Sequence, residues 1–194
     1  MECRSAVAVL LSGGLDSAVL SVELTKEFDT VHPIYIRHGL HWEKSELDYL
    51  SRFLDAINHP KFAGLQVLDM PVSDLYDNEH WSLSGETVPD ENTPDEAVYL
   101  PGRNLMLITK LAVWCDMNGV GTIALAPLSG NPFSDNTHEF YNGMESVIDM
   151  ALGRKIKIIR PFSTLTKSGV IHLGKDLPLE LTFSCIRPID NLHC

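Results

Sequence analysis

The chain has 194 residues, 44% of them hydrophobic, and reads as one domain with a sizeable core. No apolar stretch approaches the ~20 residues that span a bilayer, and the apolar run near the N-terminus leads into a glycine turn, not a cleavage site; neither a membrane span nor a signal peptide is expected, and a cytoplasmic location is. A net charge of −11 weighs against a protein that must grip a nucleic-acid backbone and favours a small-molecule substrate.

Ala6 to Leu11 (AVAVLL) is a valine-rich apolar run, the pattern of a strand buried on both faces of a parallel sheet. From Ser17 onward, Val19, Leu20, Val22 and Leu24 fall at the spacing of a helix with one buried face. Ser12 to Asp16 is therefore a strand-to-helix turn. Gly13 and Gly14 can take positive φ and leave the main chain open to a ligand. The N–H groups of the first helical turn lack internal partners and carry partial positive charge, so such a turn binds phosphate. The lysine that ends a common P-loop is missing here; Ser12 and Ser17 offer hydroxyls instead. Asp16 sits beside a polyphosphate only if a cation such as Mg²⁺ lies between them. The structural alternative is that Asp16 caps the helix.

Val31 to Ile36 is a second strand, and the backbone of Ile36 and Arg37 at its end is placed to meet an adenine ring. His38 and His41 follow as surface histidines. Residues 41–57 are amphipathic, with Leu47, Leu50, Leu54 and Ile57 on one side. Leu65 to Met70 is a third strand. Residues 71–100 are polar with little periodicity, and a structureless stretch that long points to function. It ends in Pro101, Gly102, Arg103 and Asn104, which open a helix over 104–118. Arg103 offers a guanidinium fork to a phosphate or carboxylate; alternatively Asn104 caps the helix and Arg103 faces solvent. Cys115 lies with Leu105, Ile108 and Ala112 on an apolar face, so it belongs to the core, whereas Cys3 is uninformative.

Thr122 to Ala126 is a fourth strand, followed by a Gly/Pro/Ser/Asn loop, LSGNPFSDN, suited to shaping a pocket. His138 to Leu152 is a helix and Lys155 to Arg160 a fifth strand. Lys167 opens a short helix, where a lysine is mildly unfavourable unless an anion sits beside it. The apolar run LELTFS before Cys185 reads as a strand. The alternation predicts a doubly wound, mainly parallel five-stranded sheet with helices on both faces and ligands at the carboxyl ends of the strands.

SGGLDS, Ser12 to Ser17, resembles the signature of the PP-loop ATP pyrophosphatases, which adenylate a carbonyl oxygen, release pyrophosphate and let a nucleophile displace AMP. With Pro101 to Asn104, Ser129 to Pro132, Pro161 to Lys167, and Cys185 with Cys194, the chain is similar over nearly its whole length to the 7-cyano-7-deazaguanine synthases of queuosine and archaeosine precursor biosynthesis. The resemblance implies a Rossmann-like, adenine nucleotide alpha hydrolase-like domain over residues 1–180 and the start of a cysteine tail over 181–194. It implies ATP held by Leu11, Ser12, Gly13, Gly14, Leu15, Asp16, Ser17, Ile36 and Arg37, with Mg²⁺ at Asp16. Asp16, Lys167 and Arg103 would stabilise the leaving pyrophosphate. Asn104, Ser129, Gly130, Asn131, Phe133 and Asp135 would hold the acid. Cys185 and Cys194 would be two of four zinc ligands, with His193 weighed as a third. The implied partners are a small heterocyclic carboxylic acid and ammonia, with no nucleic acid or membrane, and a homodimer is left open. The pocket loop departs from the family's usual SGYPDCR. A paralogue acting on another heterocyclic acid or amine, and a non-catalytic adenine-nucleotide sensor, therefore stay open.

Overall fold

A computed structural model describes residues 4–90 and 92–194; Cys3 lies outside the described residues. Five parallel strands form one sheet in the order β3-β2-β1-β4-β5: β1 Arg4–Leu10, β2 Phe28–Arg37, β3 Gln66–Asp69, β4 Thr122–Ala124 and β5 Lys157–Ile159. Side-chain alternation in β1 shows why both faces must be covered. Val7 and Val9, with Leu11 beyond the strand, pack beneath α1 (Leu15–Leu24), α2 (Glu43–Ile57) and α6 (Lys167–Leu173). Ala8 faces the opposite layer, α4 (Arg103–Met117) and α5 (His138–Leu152). Cys115 is wholly buried there, and burial pushes its thiol up to about 12. Leu105, by contrast, is 47% exposed; the buried stripe of α4 runs through Leu107, Ile108, Leu111 and Ala112.

The chain winds outward from β1 through β2 to β3, then returns to lay β4 against the other side of β1. Between β1 and β4 the connections diverge to opposite faces, which opens a crevice at the carboxyl ends of these strands.

Two expectations fail in instructive ways. Residues 71–100 are not structureless: Val72 is fully buried, and Trp81–Ser84 forms a one-turn helix, α3, whose Trp81 stacks on Trp42 at 5.7 Å. These aromatics join Leu40, Tyr49, Leu100 and Phe183 in a separate cluster. Contacts made to distant segments carry no local periodicity. The LELTFS run is no strand: Leu179–Leu181 is a 3-10 turn, closed by Leu181 N–H to Pro178 O at 2.9 Å and Thr182 N–H to Leu179 O at 3.0 Å. The chain then passes beneath the glycine turn, where Phe183 N–H donates to Gly13 O at 2.7 Å. No helix of the described residues is long and apolar enough to cross a membrane.

Candidate functional site

The turn between β1 and α1 is fixed from within. Gly13 has φ +76°, and a Cβ there would lie 2.9 Å from the Glu46 carbonyl oxygen, so only glycine fits. Gly14 departs from expectation: its φ is −72°, an extended conformation open to any residue, and it caps α1 without a side chain. The Ser17 hydroxyl donates to Gly14 O at 3.0 Å and accepts from Ser12 N–H at 3.3 Å; Gly14 N–H donates to Ser12 Oγ at 3.3 Å. Both serines thus hold the turn in shape. The first main-chain bond of α1 runs from Ala18 N–H to Gly14 O, leaving the N–H groups of Leu15, Asp16 and Ser17 outside the helical ladder.

Asp16 does not cap its helix. Lys167, at the start of α6, grips both its carboxylate oxygens at 2.8 and 2.9 Å. The packing of α6 on α1 places that lysine, and it is tight: a Cβ at Gly174 would lie 2.6 Å from Val19 Cγ2.

A cavity of about 230 Å³ opens at the switch point. Ser12, Gly14, Asp16 and Ser17 form one wall, Arg103 and Asn104 another, and Leu125, Ala126 and Pro127 beyond β4 close the third. Arg103 is half-buried and lines the cavity. It also lines a pit of about 30 Å³ shared with Leu11, Tyr35, Ile36 and Glu46, and its Nε is buried with no hydrogen-bond partner. Around it lies a buried polar cluster. Burial pushes the Glu46 carboxyl up to about 7, against the pull of the Arg103 charge. Tyr35 donates to Glu46 Oε2 at 2.6 Å, and burial raises the Tyr35 phenol. Glu43 accepts from the His38 and Gly39 N–H groups, yet burial still raises it. His38 is buried, not the surface histidine expected, and burial aided by Arg103 lowers it to about 4. His41 is tied to Ile186 O at 2.7 Å.

The remaining sequence-derived positions divide. Asn131 lines the main cavity, while Ser129 and Gly130 line a second cavity of about 170 Å³ beside it. The Ser129 hydroxyl donates to Leu165 O at 2.9 Å. Phe133 packs on Tyr99 at 5.0 Å, and Asp135 accepts from Asn104 N–H at 3.2 Å, so neither lines these cavities. Arg37 pairs with Asp69 at 2.9 Å, and its carbonyl accepts from Met70 N–H at 2.7 Å. Leu15 packs on the α1, α2 and α6 side of the core. Sequence reasoning missed Asn136 and Tyr141, which complete the main cavity, as well as Glu46 and Arg160. Asn136 falls in the pocket loop that had been singled out; the other three reach the site only through packing.

At the tail, Cys185 and Cys194 Sγ lie 3.2 Å apart. The His193 ring packs on Phe183 at 4.6 Å with Nε2 on Thr182 O at 3.1 Å, so it is not directed at them. Among the described residues no group of three or more His, Cys, Asp or Glu could hold a metal. Two thiols do not close a tetrahedral zinc site, so these residues alone do not fit one.

The family model described as queuosine biosynthesis protein QueC matches residues 6–194. A 7-cyano-7-deazaguanine synthase of Sulfurihydrogenibium sp. (strain YO3AOP1) is 30% identical over 195 residues, covering 93% of this chain and 85% of that protein. The 7-cyano-7-deazaguanine synthase 1 of Desulfitobacterium hafniense (strain Y51) is 28% identical over 196 residues, covering 98% and 86%. Among solved structures, a 4-thiouridine synthetase in complex with RNA and bound ATP shares the fold at a TM-score of 0.56, with 17% identity over 97% of this chain and 47% of that one.

Proposed function

The chain belongs to the queuosine biosynthesis protein QueC family, and from that premise we propose that it converts 7-carboxy-7-deazaguanine and ammonia to 7-cyano-7-deazaguanine at the expense of ATP. The observation that carries the reading is the convergence of a phosphate-type turn, the Asp16–Lys167 pair and Arg103 at the sheet's switch point.

In the first step a carboxylate oxygen of the acid attacks the α-phosphorus of ATP. The bond to the bridging oxygen breaks, and pyrophosphate leaves with the electron pair. Ammonia then adds to the acyl carbon, AMP leaves, and the amide forms on loss of a proton. A second ATP adenylates the amide oxygen; loss of AMP and the amide protons gives the nitrile. No step needs a nucleophile from the protein. The chain's own task is electrostatic: free N–H groups at the start of α1, Lys167 and Arg103 stabilise charge that builds on the departing pyrophosphate. Asp16 is the residue to hold Mg²⁺, because it sets a hard oxygen ligand on the cavity beside the phosphate turn, and the ion neutralises the polyphosphate when bound. Lys167 contacts both Asp16 oxygens, and each carboxylate oxygen keeps a further lone pair that a cation would take.

Incubation with ATP, ammonium and 7-carboxy-7-deazaguanine, followed by mass spectrometry, should yield the nitrile together with AMP and pyrophosphate. Release of pyrophosphate with some other heterocyclic acid only would favour a paralogous enzyme, a reading supported by the pocket loop SGNPFSDN departing from the family's usual SGYPDCR. Nucleotide binding with no pyrophosphate release under any acid would leave a sensor.

A further inference from the structure

The second cavity, of about 170 Å³, shares Pro127, Asn131 and Asn136 with the main one. Its charged wall is Arg160, the residue immediately after β5 and so also at the ligand-facing end of the sheet. Arg160 is held from two sides. Its guanidinium carbon lies 4.2 Å from the centre of the Tyr141 ring. Its Nη2 donates to His138 Nδ1 at 3.0 Å. Arginine has no acceptor, so His138 Nδ1 is the acceptor of this bond. Tyr141 is itself fixed, donating to Asn136 Oδ1 at 2.9 Å, and both line the main cavity.

Among the described residues no carboxylate pairs with Arg160, whereas Arg37, Arg154 and Lys167 pair with Asp69, Asp116 and Asp16. In a chain of net charge −11, a guanidinium held by an aromatic face and an imidazole nitrogen, with no carboxylate beside it, is suited to an anion. It is planar, pre-oriented and lines a cavity that shares Pro127, Asn131 and Asn136 with the main one. A forked donor of this kind matches a carboxylate.

We propose that Arg160 receives the carboxylate of the acceptor acid and holds it for attack on ATP, which makes this arginine a determinant of substrate choice. The proposal rests on the functional reading above. The fork would engage both carboxylate oxygens, and each keeps a further lone pair for attack on the α-phosphorus.

The test measures binding of 7-carboxy-7-deazaguanine and of its uncharged counterpart, 7-cyano-7-deazaguanine, by calorimetry on the full chain, on Arg160→Ala and on Arg160→Gln, which keeps a stem over Tyr141 if the alanine variant does not fold. Loss of a hydrogen bond to a charged group should weaken the acid by about 10- to 100-fold and leave the nitrile within about twofold. Arg160→Lys should restore part of the acid affinity. Equal weakening of acid and nitrile, or unchanged acid binding, overturns the proposal. Should the unaltered protein bind neither compound, the functional reading fails by itself, and the arginine is judged with pyrrole-3-carboxylate. That probe should shift the Arg160 Nε–H signal in a ¹⁵N NMR titration, the signal being identified by its loss in the alanine variant. An unmoved signal overturns the Arg160 assignment.

Discussion

At the scale of single residues, substitution should separate groups that shape the site from groups that would act in it. Lys167 and Asp16 form an ion pair whose side chains keep 54% and 27% of their exposure, so screening leaves it worth less than about 1 kcal/mol to the fold. The same charges beside a departing pyrophosphate carry far more weight. Lys167→Met should therefore lower the rate of acid-dependent pyrophosphate release by on the order of 100-fold while the melting temperature barely moves. Asp16→Asn should behave likewise, and its loss should not add fully to that of the lysine. Calorimetric melting beside a pyrophosphate assay checks both; full activity in either variant removes that residue from the mechanism. Gly13→Ala belongs to the other class. A methyl group 2.9 Å from the Glu46 carbonyl, at a φ of +76°, forces the turn off α2, at a cost on the order of 1–3 kcal/mol, so stability and nucleotide binding should fall together.

At the scale of elements, the main βα units could be read from the sequence because each carries its own periodicity. The His138–Leu152 helix lies where its pattern sets it. β4 and β5 are shorter than their apolar runs, ending at Ala124 and Ile159, because the residues beyond turn outward to line the cavities. The strand-to-helix turn after β1 was legible for the same local reason: it is contained in six consecutive residues. Tyr141 and Arg160 were not, since a tyrosine one turn into α5 and an arginine just after β5 carry no signal until the sheet order brings them together. The LELTFS run misled because Leu179 packs on the core beneath α1 and α6 and Phe183 packs on Tyr49 and His193, with no strand pairing among them. Element packing also makes a claim of its own. Gly174 lets the end of α6 lie against Val19, so Gly174→Ala must push α6 away from α1 and carry Lys167 with it. Overpacking of this kind costs roughly 1–3 kcal/mol. The variant should therefore lose kcat for pyrophosphate release as well as melting temperature, whereas Gly121→Ala, where a Cβ meets nothing within 4 Å, should lose neither.

For the molecule as a whole, the buried cluster behind the glycine turn ties stability to pH through two opposed titrations. Glu46 is raised by burial from 4.5 to about 7. The folded state thus holds a proton that the unfolded chain has lost, and stability falls as pH rises from about 4.5 through about 7. Glu43, also raised by burial, pulls the same way. His38 is lowered by burial from 6.5 to about 4. Here the unfolded chain holds the extra proton, so stability present above 6.5 is lost as pH falls toward 4. Each of the two shifts corresponds to on the order of 3 kcal/mol over nearly the same window, with opposite sign, and the unaltered protein should show a shallow pH dependence there. Single substitutions should uncover the hidden slopes. Glu46→Gln leaves His38 opposed only by Glu43, so its unfolding free energy in urea should drop on acidification from pH 6.5 to 4. His38→Gln leaves the glutamates unopposed and should become less stable as pH rises from 4.5 to 7. If both variants keep the shallow profile of the parent, neither group is buried in the ionisation state assigned to it, and Arg103 does not sit in a pit whose charge is set by proton binding.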